Sequence, residues 1–555
     1  MRSLLRREGQ VEREGVLIPA SEVSFLLPLL LYAETHYRFR YWFSFLKKNE
    51  PELLADAPHR IEPATPLPLL ILAKDADRYP SILREIRVDV RSAGQTVLAK
   101  RLLGDSVQLT EPLWWKIFTL DVSTCHGWID LDVTLVIESN GSIRTYHNDN
   151  YRTASHAPLR VYVATEPLPR FPHLHVGDAH THSNYTADQV EFGSPLEAAR
   201  VLCEAMGLSF FCVTDHSYDL DDRLDSYLIN DPELPKWKSL NREIDALNEH
   251  QTNVSIVRGE EVTCRSEHGR NVHLLLLGGR RFFSGSGDGA EQWLRTRSEH
   301  SVQEILQRKD PGVLAFAAHP REPVPFLQRM LLGRGNWSGK DLHDDNLDGI
   351  QFLNGKIDEG YRDGYEKWIA QLLRGRRIVA LAGNDAHGNF SRFRQLSIPF
   401  VSLRESDNQI FGRMRTGVKV DMPLSEKAIL EGISLGRAIL TDGPVIDAVV
   451  QNAYGGKCTF GGTSHGATHH LSVRVLSSEE FGYIQSLRVL IGEIGSNLEK
   501  TLLEHNYGQG FDRSESVTLS PTRPSYVRFE AFTSRENTFD NRQHFCLTNP
   551  IWIDL

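Results

Sequence analysis

Six short patterns in this chain gather residue types that bind and activate: Asp178-Ala179-His180-Thr181-His182, Thr214-Asp215-His216, Gly259-Glu260-Glu261-Val262, His273, Ala318-His319-Pro320 and Asn384-Asp385-Ala386-His387. In extended backbone the period of two puts Asp178, His180 and His182 on one face, so two imidazoles stand side by side as a metal clamp. Mixed imidazole and carboxylate donors suit borderline divalent ions such as Zn²⁺, Mn²⁺ or Fe²⁺. All-oxygen Ca²⁺ and Mg²⁺ sites would not use so many histidines. Taken singly each pattern is weak, because an isolated HxH is more often a surface or core feature than a ligand pair. Their force is positional, since each closes, or in the case of His273 opens, an apolar run. Asp178 and Asp215 are placed to accept hydrogen bonds from ligand imidazoles rather than to touch metal.

Those apolar runs imply the elements that must carry the site. Leu174–Ala179, Ser209–Val213, Val254–Arg258, Val272–Leu277, Val313–Ala317, Gly349–Leu353 and Ile378–Ala382 read as strands. Amphipathic segments at Pro195–Met206, Lys236–His250, Glu291–Gln307 and Glu359–Leu373 read as helices between them. Such βα order implies parallel strands, and seven of them around a central site point to a barrel-like sheet with its chemistry at the strands' carboxyl ends. His273 is the exception: either its strand begins earlier, near Arg270, or it reaches in from a loop. Upstream, Tyr37–Phe45, Leu67–Leu72, Ile86–Val90, Trp115–Leu120 and Ile129–Ile137 suggest a β-sandwich over residues 1–168. The proline-rich Thr165–Pro172 reads as a linker to the region 173–445. Residues 446–555 return to strands such as Leu471–Leu476 and Ser525–Phe532 and read as a smaller β domain.

At 555 residues, with 40% hydrophobic and 24% charged, the chain has the composition of an ordinary folded protein of several domains. A net charge of −10 without a basic block argues against wholesale nucleic-acid binding, although a nucleotide substrate in a local cleft stays open. Six cysteines (Cys125, Cys203, Cys212, Cys264, Cys458, Cys546) with no CxxC pair argue against a zinc ribbon or disulfide framework and fit reduced thiols in a cytoplasmic protein. The apolar run Phe25–Ala33 is too short to span a bilayer and reads as a buried strand pair, so no membrane association is expected. The histidines of the flanking β regions, with His173 and His175, are assigned no role.

His180-Thr181-His182, Thr214-Asp215-His216, Glu261, His273, Ala318-His319-Pro320 and Asp385-Ala386-His387, in that order, resemble the motifs of the PHP (polymerase and histidinol phosphatase) superfamily. The resemblance covers roughly Leu174 to His387. It implies an α/β fold class, a distorted seven-stranded βα barrel carrying two or three metals, here flanked by the N-terminal β-sandwich and the smaller C-terminal β domain. The segment Leu435–Pro444 and the late Thr548-Asn549-Pro550-Ile551 resemble a subgroup that includes carbamate-insecticide hydrolases. Carried over, the resemblance puts His180, His182, Glu261 and Asp385 on one metal, with Glu261 bridging to a second held by His273 and His319. Glu261 is preferred to Glu260 because Gly-x-Glu is the family pattern. A third metal takes His216, His387 and one residue after the HxH motif, for which Asp188 is the candidate.

Such a site carries excess positive charge and attracts phosphate. Water shared between two divalent ions ionises near pH 7, so hydrolysis is the natural reaction, with Glu261 and Asp385 at its centre. Arg265, Arg270, Arg321 and Lys356, each close in sequence to a ligand or strand end, are the candidates to bind the phosphoryl oxygens of an anionic small-molecule substrate. His268 is the candidate proton donor to the leaving group. Three readings follow: a phosphoesterase acting on a mono- or diester, a carbamate or amide hydrolase using the same site, and a metal-stabilised binding module without turnover. An Arg-rich pocket favours the first and an apolar aromatic pocket the second.

Overall fold

A computed structural model of the chain describes residues 50–555 apart from 151–155, 187–192, 251–252, 289–295, 325–328, 331, 392–394, 399–400, 405–408 and 537, and of residues 227–228, 395–398 and 401–404 it describes the backbone alone. The runs Phe25–Ala33 and Tyr37–Phe45 lie outside the described residues.

Alternation along Ser81–Ser92 forces one face inward: Leu83, Ile86, Val88 and Val90 are buried while Arg84, Arg87 and Arg91 face water. This strand pairs antiparallel with Gly127–Ser139, which pairs in turn with Leu159–Val163. A smaller antiparallel sheet of Glu52–Asp56, Leu67–Lys74 and Leu113–Leu120 closes the other side of a shared core that holds Leu69, Ile71, Phe118, Leu131 and Leu135. Each such side chain gains roughly 1.5–3 kcal/mol by leaving water, which is why the alternation fixes the register.

The next region builds the site. Strands β1 (Leu174–His182), β2 (Phe210–Val213) and β3 (Ser255–Arg265) lie parallel, with Gly177 opposite Phe210 and Phe210 opposite Ser255. Gly177 permits the close approach, since a Cβ there would lie 2.2 Å from the Phe210 carbonyl oxygen. The crossovers contain helices α1 (Leu196–Ala205) and α2 (Pro235–Glu249). Proline opens α2 at a position where no intrahelical bond is lost, and Trp237, Leu240 and Ile244 form its buried stripe.

Beyond β3 the expected parallel order fails. β3 runs well past Arg258, and β4 (Asn271–Leu277) pairs with it antiparallel, Glu261 opposite Leu275 and Thr263 opposite His273. Only Ser266–Arg270 separates the two strands, with Gly269 turning at φ 68°; a parallel crossover needs about a dozen residues or more. β5 (Leu314–Ala318) is antiparallel to β4, after which β6 (Gly349–Asn354) and β7 (Val379–Gly383) continue parallel to β5. Helix α3 (Glu359–Leu373) links β6 to β7 and is capped by Asp358, which accepts the Tyr361 N–H at 2.9 Å. The helix expected over Glu291–Gln307 is shorter: its described part spans Val302–Arg308, started by a Ser301/Glu304 capping box.

Among the described residues no barrel is closed, and the fold is mostly β. The sheet runs in the order β7, β6, β5, β4, β3, β2, β1 and then onward through Arg415–Lys419, Ala438–Thr441, Phe545–Thr548, Ser525–Thr533, Ile484–Glu493 and Lys500–Asn506. The reason lies in the second edge of β1. Leu174–Gly177 is taken by the antiparallel strand Arg415–Lys419, and only Thr181 and His182 pair on that side with Ala386–His387. β7 therefore finds no edge to close against. The same sheet passes without interruption into the C-terminal region, where a second sheet of Lys457–Cys458, Val445–Asn452, His469–Leu476 and Asp512–Leu519 covers it across a core of Val450, Phe460, Val473, Val489 and Phe529. Asn549 locks the two ends together: its side chain accepts Ala380 N–H at 2.8 Å and donates to the carbonyls of Ala380 and Ala438 at 3.0 and 2.9 Å. No helix among the described residues is long and apolar enough to cross a membrane.

Candidate metal centre

The antiparallel β4 resolves the position of His273. Because β4 runs against β3 and β5, its first residues lie at the same edge as the last residues of the parallel strands, and His273 joins His180, His182, Glu261 and His319 there. Three groups of ligand atoms converge: His180, His182, Glu261 and Asp385; Glu261, His273 and His319; and His182, His216 and His387, the atoms within each group lying within 4.8 Å of one another.

Glu261 is fully buried and divides its two oxygens. Oε1 lies 2.7 Å from His273 Nδ1 and 3.2 Å from His319 Nε2, whereas Oε2 lies 3.0 Å from His216 Nδ1, 3.4 Å from His180 Nε2 and 3.5 Å from His182 Nε2. Asp385 Oδ1 sits 2.9 Å from His182 Nε2 and 3.4 Å from His180 Nε2. The rings of His182 and His387 stack at 4.1 Å and 8°. Burial lowers an imidazole, but Glu261 and Asp385 outweigh it and push His180 up to about 9. His182 is equally buried, faces His387 and His216, and goes well below 6.5. Both carboxylates stay well below their usual range despite burial, Glu261 through His273 and His180, Asp385 chiefly through His180. The cluster demands positive charge at its centre, from a proton on His180 or from a metal ion.

The donor set fits a metal. His180 Nε2 and Glu261 Oε2 are wholly buried yet make no well-formed hydrogen bond, as ligand atoms aimed at a common point would. Two of the convergent residues are held in left-handed backbone, His319 at φ 28° and Asp385 at φ 53°. Such conformations persist only where the surroundings impose them. Here His319 N–H donates to the Gln351 carbonyl at 2.8 Å and to Gln351 Oε1 at 3.0 Å, and Asp385 N–H donates to the His180 carbonyl at 2.9 Å.

Asp178 and Asp215 do not hold imidazoles. Asp178 accepts backbone N–H from His180, Asn384 and Gly412, together with the Asn384 amide; Asp215 accepts Ser183 N–H and hydroxyl at 2.6 Å each and Thr186 N–H at 3.2 Å. Each carboxylate is consumed by nearby backbone amides and by one side chain, Asn384 for Asp178 and Ser183 for Asp215. Asp188 lies outside the described residues; the third group is completed instead by His182. Glu260 points to the other face of β3, where burial pushes it up to about 8 beside the Ser217 hydroxyl and Phe283 N–H.

A cleft of about 350 Å³ opens over the cluster. Of the four basic candidates only Lys356 lines it. Arg265 turns to the Glu299 carbonyl and Glu304, Arg270 to the Arg329 carbonyl, and Arg321 to Asp363, because the hairpin and loop that carry them lead away from the ligand edge. His268 is exposed at the β3–β4 turn and does not line the cleft. Two functional neighbours escaped the sequence reading. Arg334 lines the cleft with Nη2 3.1 Å from His273 Nε2, and its flanking Gly333 (φ 64°) and Gly335 were the available signal. Gln351, with no exposed surface, interrupts the apolar run of β6, where a buried amide requires partners.

No protein-family model matches the chain, and no curated protein matches it. Among solved structures, a Salmonella alpha-2-macroglobulin reacted with methylamine is 8% identical, over 93% of this chain and 24% of its own, at a TM-score of 0.14. Escherichia coli alpha-2-macroglobulin from domain MG7 to the C-terminus is 9% identical over 91% of this chain and 99% of its own, at 0.16. A Paenibacillus cycloisomaltooligosaccharide glucanotransferase is 9% identical over 90% and 71%, at 0.17. Similarity at that level carries neither fold nor function. What characterises this chain is its own chemistry: buried histidine, glutamate and aspartate groups gathered at one sheet edge and able to hold a metal ion.

Proposed function

We propose that the chain is a metal-dependent hydrolase of phosphoric mono- or diesters, acting on a small anionic substrate with two or three divalent ions, manganese, zinc or iron, held by this cluster. The observation that carries the proposal is the divided carboxylate of Glu261, one oxygen toward His273 and His319 and the other toward His216, His180 and His182, so that a single side chain would serve two cation positions. Paired divalent ions, when bound, bring the ionisation of water toward about pH 7 and neutralise charge that builds on a phosphoryl centre. The chain's residues supply orientation. Gln409 Nε2 holds Asp385 Oδ2 at 3.2 Å, leaving Oδ1 toward the imidazoles, and Trp337 donates to the His273 carbonyl at 3.2 Å. Arg334 and Lys356 bring positive charge to the cleft wall, suited to the non-bridging oxygens of a phosphoryl group. The ordered likeness to PHP motifs supports the same chemistry, independently of any barrel. Cysteines that form no disulfide, all but Cys458 buried, suit a cytoplasmic setting.

The test is hydrolysis by Mn²⁺- or Zn²⁺-reconstituted protein of a chromogenic phosphomonoester, a phosphodiester and an aryl carbamate, with Asp385→Ala as the blank. Phosphoester release is expected, reduced in the blank on the order of 10³-fold. Carbamate-only release moves the reaction to carbonyl chemistry, and silence on all three with metal bound leaves a binding module.

A further inference from the structure

Building on the metal-centre proposal, we infer that the N-terminal sandwich governs the third cation position: the buried carboxylate of Asp56 positions His387 and so sets whether His182, His216 and His387 together hold an ion.

Asp56 ends the strand Glu52–Asp56 and has no exposed surface. Its carboxylate reaches 334 residues along the chain, Oδ2 accepting Phe390 N–H at 2.9 Å, and Oδ1 accepting Ser391 N–H and the Ser391 hydroxyl at 3.1 Å each. Ala57 N–H donates to Oδ1 as well, at 2.8 Å. Two successive amides bound to one carboxylate fix the peptide plane between them. Nearby contacts leave that loop little slack. Phe390 is fully buried and stacks on Phe411 at 4.6 Å, the Asn389 carbonyl accepts Phe411 N–H at 2.8 Å, and Gly388 turns at φ 65° where a Cβ would lie 2.7 Å from Ser194 N.

The anchorage is selective. Asp385 is secured from the other side, by its N–H to the His180 carbonyl and by the pairing of Ala386 with Thr181. His387 stands at the end of that pairing, and the chain beyond it is held to the N-terminal sandwich through Asp56. His387 Nδ1 also lies 3.1 Å from the Asp385 carbonyl, so the ring is steadied from both sides, and loosening Asp56 withdraws the tie on the far side while leaving Asp385, His180 and Glu261 in place. Metal–ligand distances tolerate only about 0.2 Å of error, so a small tilt of one imidazole in a group of three is enough to lose an ion.

Metal content and chelator competition of the full-length Zn²⁺-reconstituted protein test this. Wild type is expected to hold three equivalents and Asp56→Asn two, the third position weakened about 10–100-fold while the other two keep their affinity. Ser391→Ala, which removes the hydroxyl bond to Asp56 and keeps the Ser391 and Phe390 amides, is expected to shift the third position in the same direction by less, and it carries the test should Asp56→Asn fail to fold. Three ions held as tightly in the variants as in wild type overturn the inference. So does parallel weakening at every position together with a lower melting temperature, the mark of a merely structural tie. A wild type that stops at two ions overturns it while leaving the Glu261-bridged pair, and a wild type that takes up no metal removes the hydrolase proposal as well.

Discussion

Two buried polar clusters in this protein handle negative charge in opposite ways. Behind α3, Arg528 has no exposed surface and is surrounded by partners: Nε and Nη2 donate to Glu499 at 2.7 and 2.6 Å, Nη1 to Glu530 at 2.8 Å, while Tyr365 and Tyr526 donate to the same two carboxylates at 2.6 and 2.8 Å. At the ligand edge, Glu261 and Asp385 face imidazoles, and the buried oxygen Glu261 Oε2 is left without a well-formed hydrogen bond. A guanidinium is a permanent cation, so the first cluster is sealed by the fold itself. Imidazoles surrender their protons near neutrality and can take a metal instead, so the second is built for an exchangeable charge. One cluster holds sheet to helix; the other leaves buried ligand atoms uncommitted and able to hold a metal ion.

The contrast predicts opposite responses. Glu261→Gln replaces the divided carboxylate by an amide that cannot neutralise two cations. Metal content and turnover should collapse together, turnover on the order of 10³-fold or more, with little change in the melting temperature of the metal-free protein. Arg528→Ala should do the reverse, lowering unfolding stability by about 3–5 kcal/mol through the carboxylates it leaves buried, with metal content per folded chain unchanged. Metal loss in the second variant, or a large stability loss without metal loss in the first, would break the comparison. His544 refines it. This buried imidazole lies 3.1 Å from Asp442 Oδ2 and 3.2 Å from Asp540 Oδ1, and although burial opposes the charge, the two carboxylates raise it to about 9 from 6.5. A raised folded value means stabilisation that is complete below about pH 6.5 and fades as the pH climbs through 9, on the order of 3 kcal/mol at most. Thermal unfolding followed from pH 6 to 9.5 should show that decline in wild type and a flatter profile in His544→Gln. An identical slope in both would remove His544 from the sealed class.

Much of the ligand edge was legible because its chemistry is local. A histidine or carboxylate closing an apolar run announces itself, and six of the nine expected ligands, His180, His182, Glu261, His273, His319 and Asp385, lie in the two groups joined by Glu261, while His216 and His387 join His182 in the third. Strand direction was harder. Glu260 and Glu261 looked like the end of a strand because paired carboxylates rarely sit inside one; here the imidazoles around Glu261 let β3 continue to Arg265, and the short link to β4 then dictates a hairpin. Barrel closure was not legible at all, since it depends on whether the second edge of β1 is free, and the strand that occupies it, Arg415–Lys419, comes from far downstream. Arg265, Arg270, Arg321 and His268 were near ligands in sequence only; distance across a hairpin turn is set by direction, not by residue count.

The tie between Asn549 and Ala380 bears on the order of events during synthesis. β7 leads directly into Asp385, and the residue that satisfies the Ala380 backbone, N–H and carbonyl alike, is made 169 residues later. Strands Ala438–Thr441 and Phe545–Thr548 likewise pair across a long interval of chain. Such distant contacts form late and slowly. The nascent chain can complete its N-terminal sandwich early, whereas the bed beneath the histidine and carboxylate cluster waits for segments translated last, so on the proposed function metal capture would be a finishing step of maturation.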